Sequence, residues 1–579
     1  MPKTKNRRAP IGALFAGLLS ALFLMLAFPP FSFWGFAFLI PFPLFIVARS
    51  QKFSPSITAF WAALGSSPGW AWTHLWIADI SVGGLIPLVI QLSIYTFLFV
   101  WIARHAVDRL GHEVFVLPIV WVGVEFFRGS ILWSGYPWYL IAQPLIDSPW
   151  GILAMPASVG GVYFVSYLCA TYCIVLLLAI SSKASRDRLR FGIIAGIVLT
   201  CWIGIGYLLV PSEPERPQTL RVAVIQPNVA QDNRLDWTVR QRIRDWLDLR
   251  ELTIAAATDP RNPEPVDVII WPEGFVSGWT LDPVSLAVER AQRLAWSMVP
   301  RIPDDVPELV GYPSKISATT VVDELLILQS ALDIPMVVGS VAFDNLRIVE
   351  TDDGIEYLRD AMYNSAFVLL DGEPQSVWYD KLHLTPFGEV MPYISTWDWL
   401  ENKLLAIGAQ GMQFVLSKGK KPKRLTIPIQ RENESETDSV SLATPICFEG
   451  TISHVCRELV FDGGKRQAQI MINITNDGWF GSWDAGRETH LLIARWRCIE
   501  LNTPMVRSAN TGISSAIDHR GVVQSRTITP LDASDPRRGY LITDVVLGQG
   551  STVYARLGDS FGWLCFGVVL TWSIYAIFR

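Results

Sequence analysis

Charged side chains are scarce in this chain. They make up 17% of its 579 residues, where an ordinary soluble domain carries about 25%, and half of the residues are hydrophobic. A protein soluble along its whole length is thereby excluded, and a membrane protein is expected. The small net charge of −5 gives no reason to expect nucleic acid as a partner. Cysteines are few as well, and the seven present cannot make a disulfide scaffold of so long a chain. Cys169, Cys173, Cys201 and Cys565 fall in apolar runs and read as packing thiols. Cys447, Cys456 and Cys498 lie in polar sequence, an odd number in which at least one has no intramolecular partner there. Cys456 and Cys498 could pair in an oxidising compartment. Cys-x-x-Cys motifs and Cys/His clusters are missing, and His74, His105 and His112 lack ligand spacing, so no metal is expected.

The position of the missing charge is equally informative. None occurs between Arg8 and Arg49, room for two helices of about 20 apolar residues joined by the turn "FPPFSFWG" at 28–35. Further spans are expected near 56–76, 82–103, 114–133, 161–181, 191–210 and 560–578, about eight in all. The third is the weakest, because "GSSPGW" interrupts it. The first is read as an uncleaved helix rather than a signal peptide, because the apolar stretch runs on into a second span. Basic loops at 1–8, 48–52, 103–109 and 181–190 alternate with loops nearly free of Lys and Arg. The positive-inside rule then places the basic loops in the cytoplasm and residues 211–555 on the far side. The expected organisation is a seven-helix membrane region over 1–212, a periplasmic domain over 213–555 and a last helix over 556–579, in a bacterial inner membrane. Glu125 and Arg128 sit in or beside the fifth span, three residues apart. Ionisable groups at such depth are paired or functional, and a simple intrahelical pair is the plainer reading. The aromatic, proline-broken stretch 135–151 after them suits an interfacial or re-entrant segment.

From 220 to 547 the pattern changes to short β-rich runs, at 220–228, 266–274, 335–343, 364–370, 439–448, 468–477 and 504–512. They alternate with helical stretches at 238–257, 284–298, 321–333, 451–460 and 487–500. That alternation argues for an α/β domain, with 299–320 and 431–438 as surface insertions. Three segments end in chemically distinctive groups: "WPEG" with Glu273, "DKLHLTPFGE" with Lys381 and Glu389, and "PICFEG" with Cys447. A carboxylate can take a thiol proton. A nearby ammonium favours the thiolate and can stabilise the oxyanion formed when sulfur attacks a carbonyl. Glu, Lys and Cys therefore suffice for covalent acyl transfer. Each alone is weak: Cys447 could be a packing thiol, Glu273 a helix-starting acid, Lys381 a surface lysine. His383 is an alternative base for a Cys–His pair, and Asn473, Asn476 and Asp477 could simply shape a turn.

In chain order these three motifs resemble the signatures of the nitrilase, or carbon–nitrogen hydrolase, superfamily. "NITNDGWFG" at 473–481, the stretch 487–521 and the multi-span first part with "FRGSILWSGYPW" at 127–138 narrow the resemblance to its membrane-bound apolipoprotein N-acyltransferase family. The resemblance implies an αββα sandwich and a catalytic set of Glu273 as general base, Lys381 as oxyanion stabiliser and Cys447 as nucleophile. Glu389 and Glu449 match supporting acids. Phe448 stands where the family has tyrosine, which keeps the ring and loses the hydroxyl. Trp237 is the candidate for a displaced family tryptophan, and Trp479 and Phe480 for aromatics lining substrate access. The implied reaction takes an acyl chain from a phospholipid, holds it as a Cys447 thioester and passes it to the α-amino group of a diacylglyceryl apolipoprotein at the lipid bilayer, without metal or cofactor. A membrane-anchored amidase using the same residues with water is the alternative. A transporter or scaffold that has lost catalysis is disfavoured by the intact Glu, Lys and Cys.

The stretch 391–416 is a candidate cover for the site, with Trp397, Trp399, Leu400, Leu404 and Leu405 offering an apolar face to lipid. A helix packed on the sandwich is the plainer reading. Polar substitutions at Trp399 and Leu404 are expected to slow acylation by phospholipid while leaving thermal unfolding unchanged, and unaltered acylation rates would refute the cover.

Overall fold

The computed structural model describes residues 11–577 except 51, 81, 213–216, 230–238, 275–279, 294, 298–314, 352–353, 391–398, 400–402, 404–415 and 430–437. Trp237, the greater part of the two expected insertions, and Trp397, Leu400, Leu404 and Leu405 of the expected cover lie outside the described residues.

Four helices among the described residues are long and apolar enough to cross a membrane: Val82–Leu110, Glu113–Ser134, Ala157–Ser181 and Ser185–Leu208. Ile11–Ala27, Trp34–Arg49 and Ser560–Ile574 are apolar but shorter. The expected count of about eight is therefore not established by length and composition. The third expected span shows why such counts fail. Its "GSSPGW" does not break the helix Pro55–Thr73, which runs through Pro68. Gly65, Ser66 and Gly69 are buried on that helix, and a Cβ on Gly65 would collide with the Leu14 carbonyl of the first helix. Small residues lower the hydropathy while letting the two backbones approach closely.

The polar part holds two mixed sheets. The first runs Tyr379–Asp380, Ala361–Leu370, Met336–Asp344, Val268–Ile270, Thr219–Gln226, Gly539–Val546 and Thr529–Pro530. The second runs Leu425–Ile429, Asp438–Ala443, Ile470–Thr475, Met505–Ala509, Ser515–Ile517 and Val523–Ser525. Strand alternation gives the first sheet two apolar faces. Ala223 and Ile225 join Trp246, Leu249, Val322 and Leu325 of the helices Val239–Ala257 and Thr320–Leu332. Val222 and Val224 join the cluster that contains Ile472 and Val506 of the second sheet. The Ser508 hydroxyl crosses between the sheets to the carbonyls of Ile225 and Ile270, at 3.3 and 3.2 Å. Ser453–Val460 and Asp484–Leu501 cover the outer side of the second sheet. The result is the expected helix–sheet–sheet–helix layering.

Asp484–Leu501 also joins the two parts of the chain. Trp496 Nε1 donates to the Gln143 carbonyl at 3.2 Å, and Arg495 pairs with Asp147 at 2.6 Å. Glu500 Oε1 accepts the Val162 N–H at 2.9 Å.

Sheet geometry leaves no space at Gly339. A Cβ there would lie 2.6 Å from the Gly274 nitrogen and 3.1 Å from the Glu273 Cα. Gly339→Ala is expected to cost about 1–3 kcal/mol by overpacking and to lower the thermal midpoint of the purified protein. An unchanged midpoint would show that the Glu273 loop moves freely.

Candidate active site

Every expected reactive residue follows the end of a strand. Glu273 lies three residues past Val268–Ile270, Lys381 directly follows Tyr379–Asp380, and Cys447 follows Asp438–Ala443 across a short loop. The first two belong to one sheet and the third to the other, so the packing of the two sheets is what brings them together.

Lys381 is the centre. Its side chain is 1% exposed, with Nζ 2.7 Å from Glu389 Oε2 and 3.6 Å from Glu273 Oε1. Neither carboxylate is free to turn away. The Asn364 amide donates to Glu273 Oε1 at 2.7 Å and reaches Glu389 Oε1 at 3.4 Å. Backbone N–H groups of Asn476 and Thr385 hold the remaining oxygens, at 3.0 Å to Glu273 Oε2 and 2.8 Å to Glu389 Oε2. The Asn364 carbonyl also accepts the Lys381 N–H at 2.9 Å. Burial acts to lower the ammonium's pKa, but the Glu389 and Glu273 carboxylates outweigh it and hold Lys381 above the ordinary lysine range. Burial likewise opposes the charge on Glu389, and the ammonium outweighs it, leaving that carboxyl below its usual range.

Cys447 opens a tight 3₁₀ turn, Cys447–Thr451, with φ of +51°. A non-glycine residue there is strained, and the surroundings show what maintains it. Asn473 Nδ2 donates to the carbonyls of Pro445 and Cys447, at 2.8 and 3.2 Å. Glu449, fully buried, accepts from the N–H groups of Ile446, Leu382 and His383 at 2.7–2.8 Å and from the Tyr379 hydroxyl. It therefore ties the Cys447 turn to the segment that carries Lys381. Burial pushes Glu449 up to about 7 against these donors. The Cys447 thiol is pushed up to about 12, first by its packed surroundings and then by the Glu273 charge, with Lys381 acting in the opposite direction. The resting sulfur is thus a neutral thiol beside a carboxylate.

Other expected residues fall into place around this core. Phe448 is buried, with its ring 6.0 Å from that of His383. Burial holds His383 down to about 3, so it is a neutral imidazole that packs. Trp399 is exposed, with Lys403 5.5 Å over its ring. Trp479 is half-buried. Phe480 is buried against Trp76, Trp138 and His490, at centroid distances of 4.9, 5.8 and 5.9 Å. Asn473 and Asp477 shape more than a turn. Arg507 donates to Asn473 Oδ1 at 2.7 Å and to Asp477 Oδ2 at 3.1 Å, and His490 Nδ1 meets Asp477 Oδ1 at 2.9 Å. Cys456 and Cys498 are both free and buried. Asn364 escaped the sequence analysis. It begins an apolar run, and only its pairing opposite Val341 on the neighbouring strand turns its amide toward both glutamates.

Two family models match the chain. One, the apolipoprotein N-acyltransferase N-terminal domain, matches residues 20–175, and the other, carbon–nitrogen hydrolase, matches residues 221–547. Among curated relatives, an apolipoprotein N-acyltransferase of Geobacter metallireducens is 28% identical over 85% of this chain and 79% of its own length. One of Vibrio vulnificus is 26% identical over 98% of this chain and 97% of its own. The solved structure of an amidase from Nesterenkonia sp. AN1 aligns with 61% of this chain and 98% of its own at 12% identity and a TM-score of 0.33, too low to bear on the argument.

The opposed charges around the thiol give a test in which two reactivities part. In Glu273→Gln the carboxylate's field is gone while Lys381 remains, so iodoacetamide should alkylate Cys447 faster at a given pH. If Glu273 is the general base that the sequence leads one to expect, acylation should fall by about 10²–10⁴. Parallel loss of both would mean that Glu273 only holds the fold.

Proposed function

This chain belongs to the carbon–nitrogen hydrolase family, and we propose that it is a membrane N-acyltransferase. In this reading it moves an acyl chain from a phospholipid onto Cys447, and then onto the α-amino group of the S-diacylglyceryl cysteine that begins a lipoprotein. The carrying observation is the buried Lys381, bracketed by Glu273 and Glu389 and tied through Glu449 to the strained turn of Cys447.

Glu273 accepts the Cys447 proton as sulfur attacks the ester carbonyl, and Lys381 stabilises the oxyanion. Collapse breaks the ester C–O bond. The glycerol oxygen takes the proton back from Glu273 and leaves as the hydroxyl of a lysophospholipid. In the second half the amine attacks the thioester and gives its proton to Glu273. The C–S bond then breaks, the thiolate recovers that proton, and an amide is released. Glu389 orients Lys381 and sets its charge, and Glu449 fixes the turn. Because the thiol rests neutral, Cys447 is poised against stray alkylation or oxidation and ionises as it attacks.

Both proposed substrates are anchored by acyl chains, and extracting one from a bilayer would cost about 0.8 kcal/mol per methylene. Seating the domain on apolar helices removes that cost. The contacts of Phe480 with Trp76 and Trp138, and of Trp72 with Trp483 at 5.2 Å, support such a seat. We place residues 213–555 on the periplasmic side of an inner membrane, between helices in 1–212 and 556–579, on the distribution of basic loops.

Intact-mass spectrometry after incubation with phospholipid tests this reading. The expected result is one acyl chain on Cys447, discharged by a diacylated lipopeptide to give its N-acyl product. Discharge by water alone would make the protein a hydrolase. Lys381→Met should slow thioester formation by at least about 10²-fold.

A further inference from the structure

Glu125 and Arg128 take no part in the chemistry proposed above, yet both are buried within the helical part, at 6% and 4% exposure. Each uses one end of its side chain on the same stretch of backbone. Glu125 Oε1 accepts the Ile141 N–H at 2.9 Å, and Arg128 Nη2 donates to the Tyr139 carbonyl at 3.1 Å. The helix departs from α geometry at this point, with a π turn over Phe127–Ile131. Arg128 Nη1 has no hydrogen-bond partner among the described residues, though its guanidinium lies over the Trp70 ring at 5.3 Å. Glu125 Oε2 has only the poorly aligned Trp121 and Ser166 side chains as neighbours, and Tyr95 Oη has Gln91. Glu125, Arg128, Tyr95 and Trp121 line one cavity of about 70 Å³, together with Ser66, Thr96 and others. A charged atom without a partner is costly in hydrocarbon surroundings. The cavity is several times the roughly 10–15 Å³ that one water needs. Its lining offers both donors and an acceptor, which suits water.

The clamped backbone leads toward the nucleophile. Tyr139 Oη donates to the Thr73 carbonyl at 2.8 Å, and Gln143 bonds the Leu140 N–H and the Pro137 carbonyl. These bonds present Trp138 to the polar domain, where it stacks on His490 with centroids 5.7 Å apart. His490 meets Asp477, Asp477 meets Arg507, Arg507 meets Asn473, and Asn473 holds the Cys447 carbonyl.

We propose that the Glu125–Arg128 cavity is a hydration site holding a small water cluster, and that this hydrated pair is a positioning device that sets the Cys447 turn from within the helical part. The positioning role rests on the acyl-transfer reading, whereas the hydration does not.

Hydroxyl-radical footprinting by X-ray radiolysis, read by mass spectrometry on the full chain in nanodiscs, tests the first half. Tyr95, though only 5% exposed, should be labelled readily. Ser66→Leu, which fills the cavity, should suppress that labelling. An unlabelled Tyr95 in the wild type would mean a dry cavity and overturn the hydration site. For the second half, Glu125→Met and Arg128→Met are made singly and together. Each single change strands a buried charge and should lower the thermal midpoint. The double change should restore much of it. Thioester formation in the double variant should nonetheless stay at least about tenfold slow with the phospholipid KM unchanged, since Ile141 N and Tyr139 O have lost their partners. Its Cys447 should also alkylate at an altered rate, a readout that involves no acyl chemistry. If the wild type formed no thioester, the functional reading would fail, while footprinting and alkylation would still decide this one. Wild-type alkylation in the double variant would overturn the positioning role.

Discussion

One ammonium between two carboxylates organises this site. Glu273 and Glu389 are both turned toward Lys381 and share the Asn364 amide. Without the lysine, two like charges would face each other in a buried space, and one would take up a proton. Without the carboxylates, a lysine at 1% exposure would lose its charge, and with it any use as an oxyanion partner. The two carboxylates hold the Lys381 ammonium charged, and the ammonium in turn holds Glu389 below its usual range. Breaking such a buried set by removing a single member is far more costly than forming it was favourable.

The sandwich serves this cluster. Glu273 and Lys381 come from one sheet and Cys447 from the other, so the layer that packs the sheets also sets the distance between Glu273 and Cys447. Glu449 links the two sides directly through four donors. It holds a cysteine whose backbone angle is unfavourable in isolation. The outer helix Asp484–Leu501 faces the membrane helices on its other side, so the surface that docks the domain lies one layer behind the Cys447 sulfur. Aromatic rings, not ion pairs, make up most of that junction around Phe480 and Trp138.

Much of this was legible in the sequence, and the remainder has physical causes. The strands at 220–228, 335–343 and 504–512 and the helices at 238–257 and 321–333 recur within a few residues, because buried strands and amphipathic helices write their periods into local sequence. The strands Leu425–Ile429 and Gly539–Val546 went unread; the first pairs with the nearby Asp438–Ala443, while the second pairs with Thr219–Gln226 at the other end of the domain. Glu273, Lys381, Glu389 and Cys447 were visible because each sits in a compact motif after a strand. Asn364 was not, because an asparagine opening an apolar strand reads locally as a turn residue, and only cross-strand register directs its amide. For Glu125 and Arg128 the sequence left a functional role and a plain intrahelical pair both open. The structure directs each of them to backbone 11 or 16 residues away, a pairing that no helical period encodes.

The charge on Lys381 is the claim on which the rest turns. It can be followed by NMR of the lysine side chain, using selectively labelled protein and Lys381→Met to assign the signal. The account predicts an ammonium that stays protonated to at least the pH of a free lysine, about 10.5. A side chain that loses its proton near neutrality, as a lone buried lysine would, would contradict it.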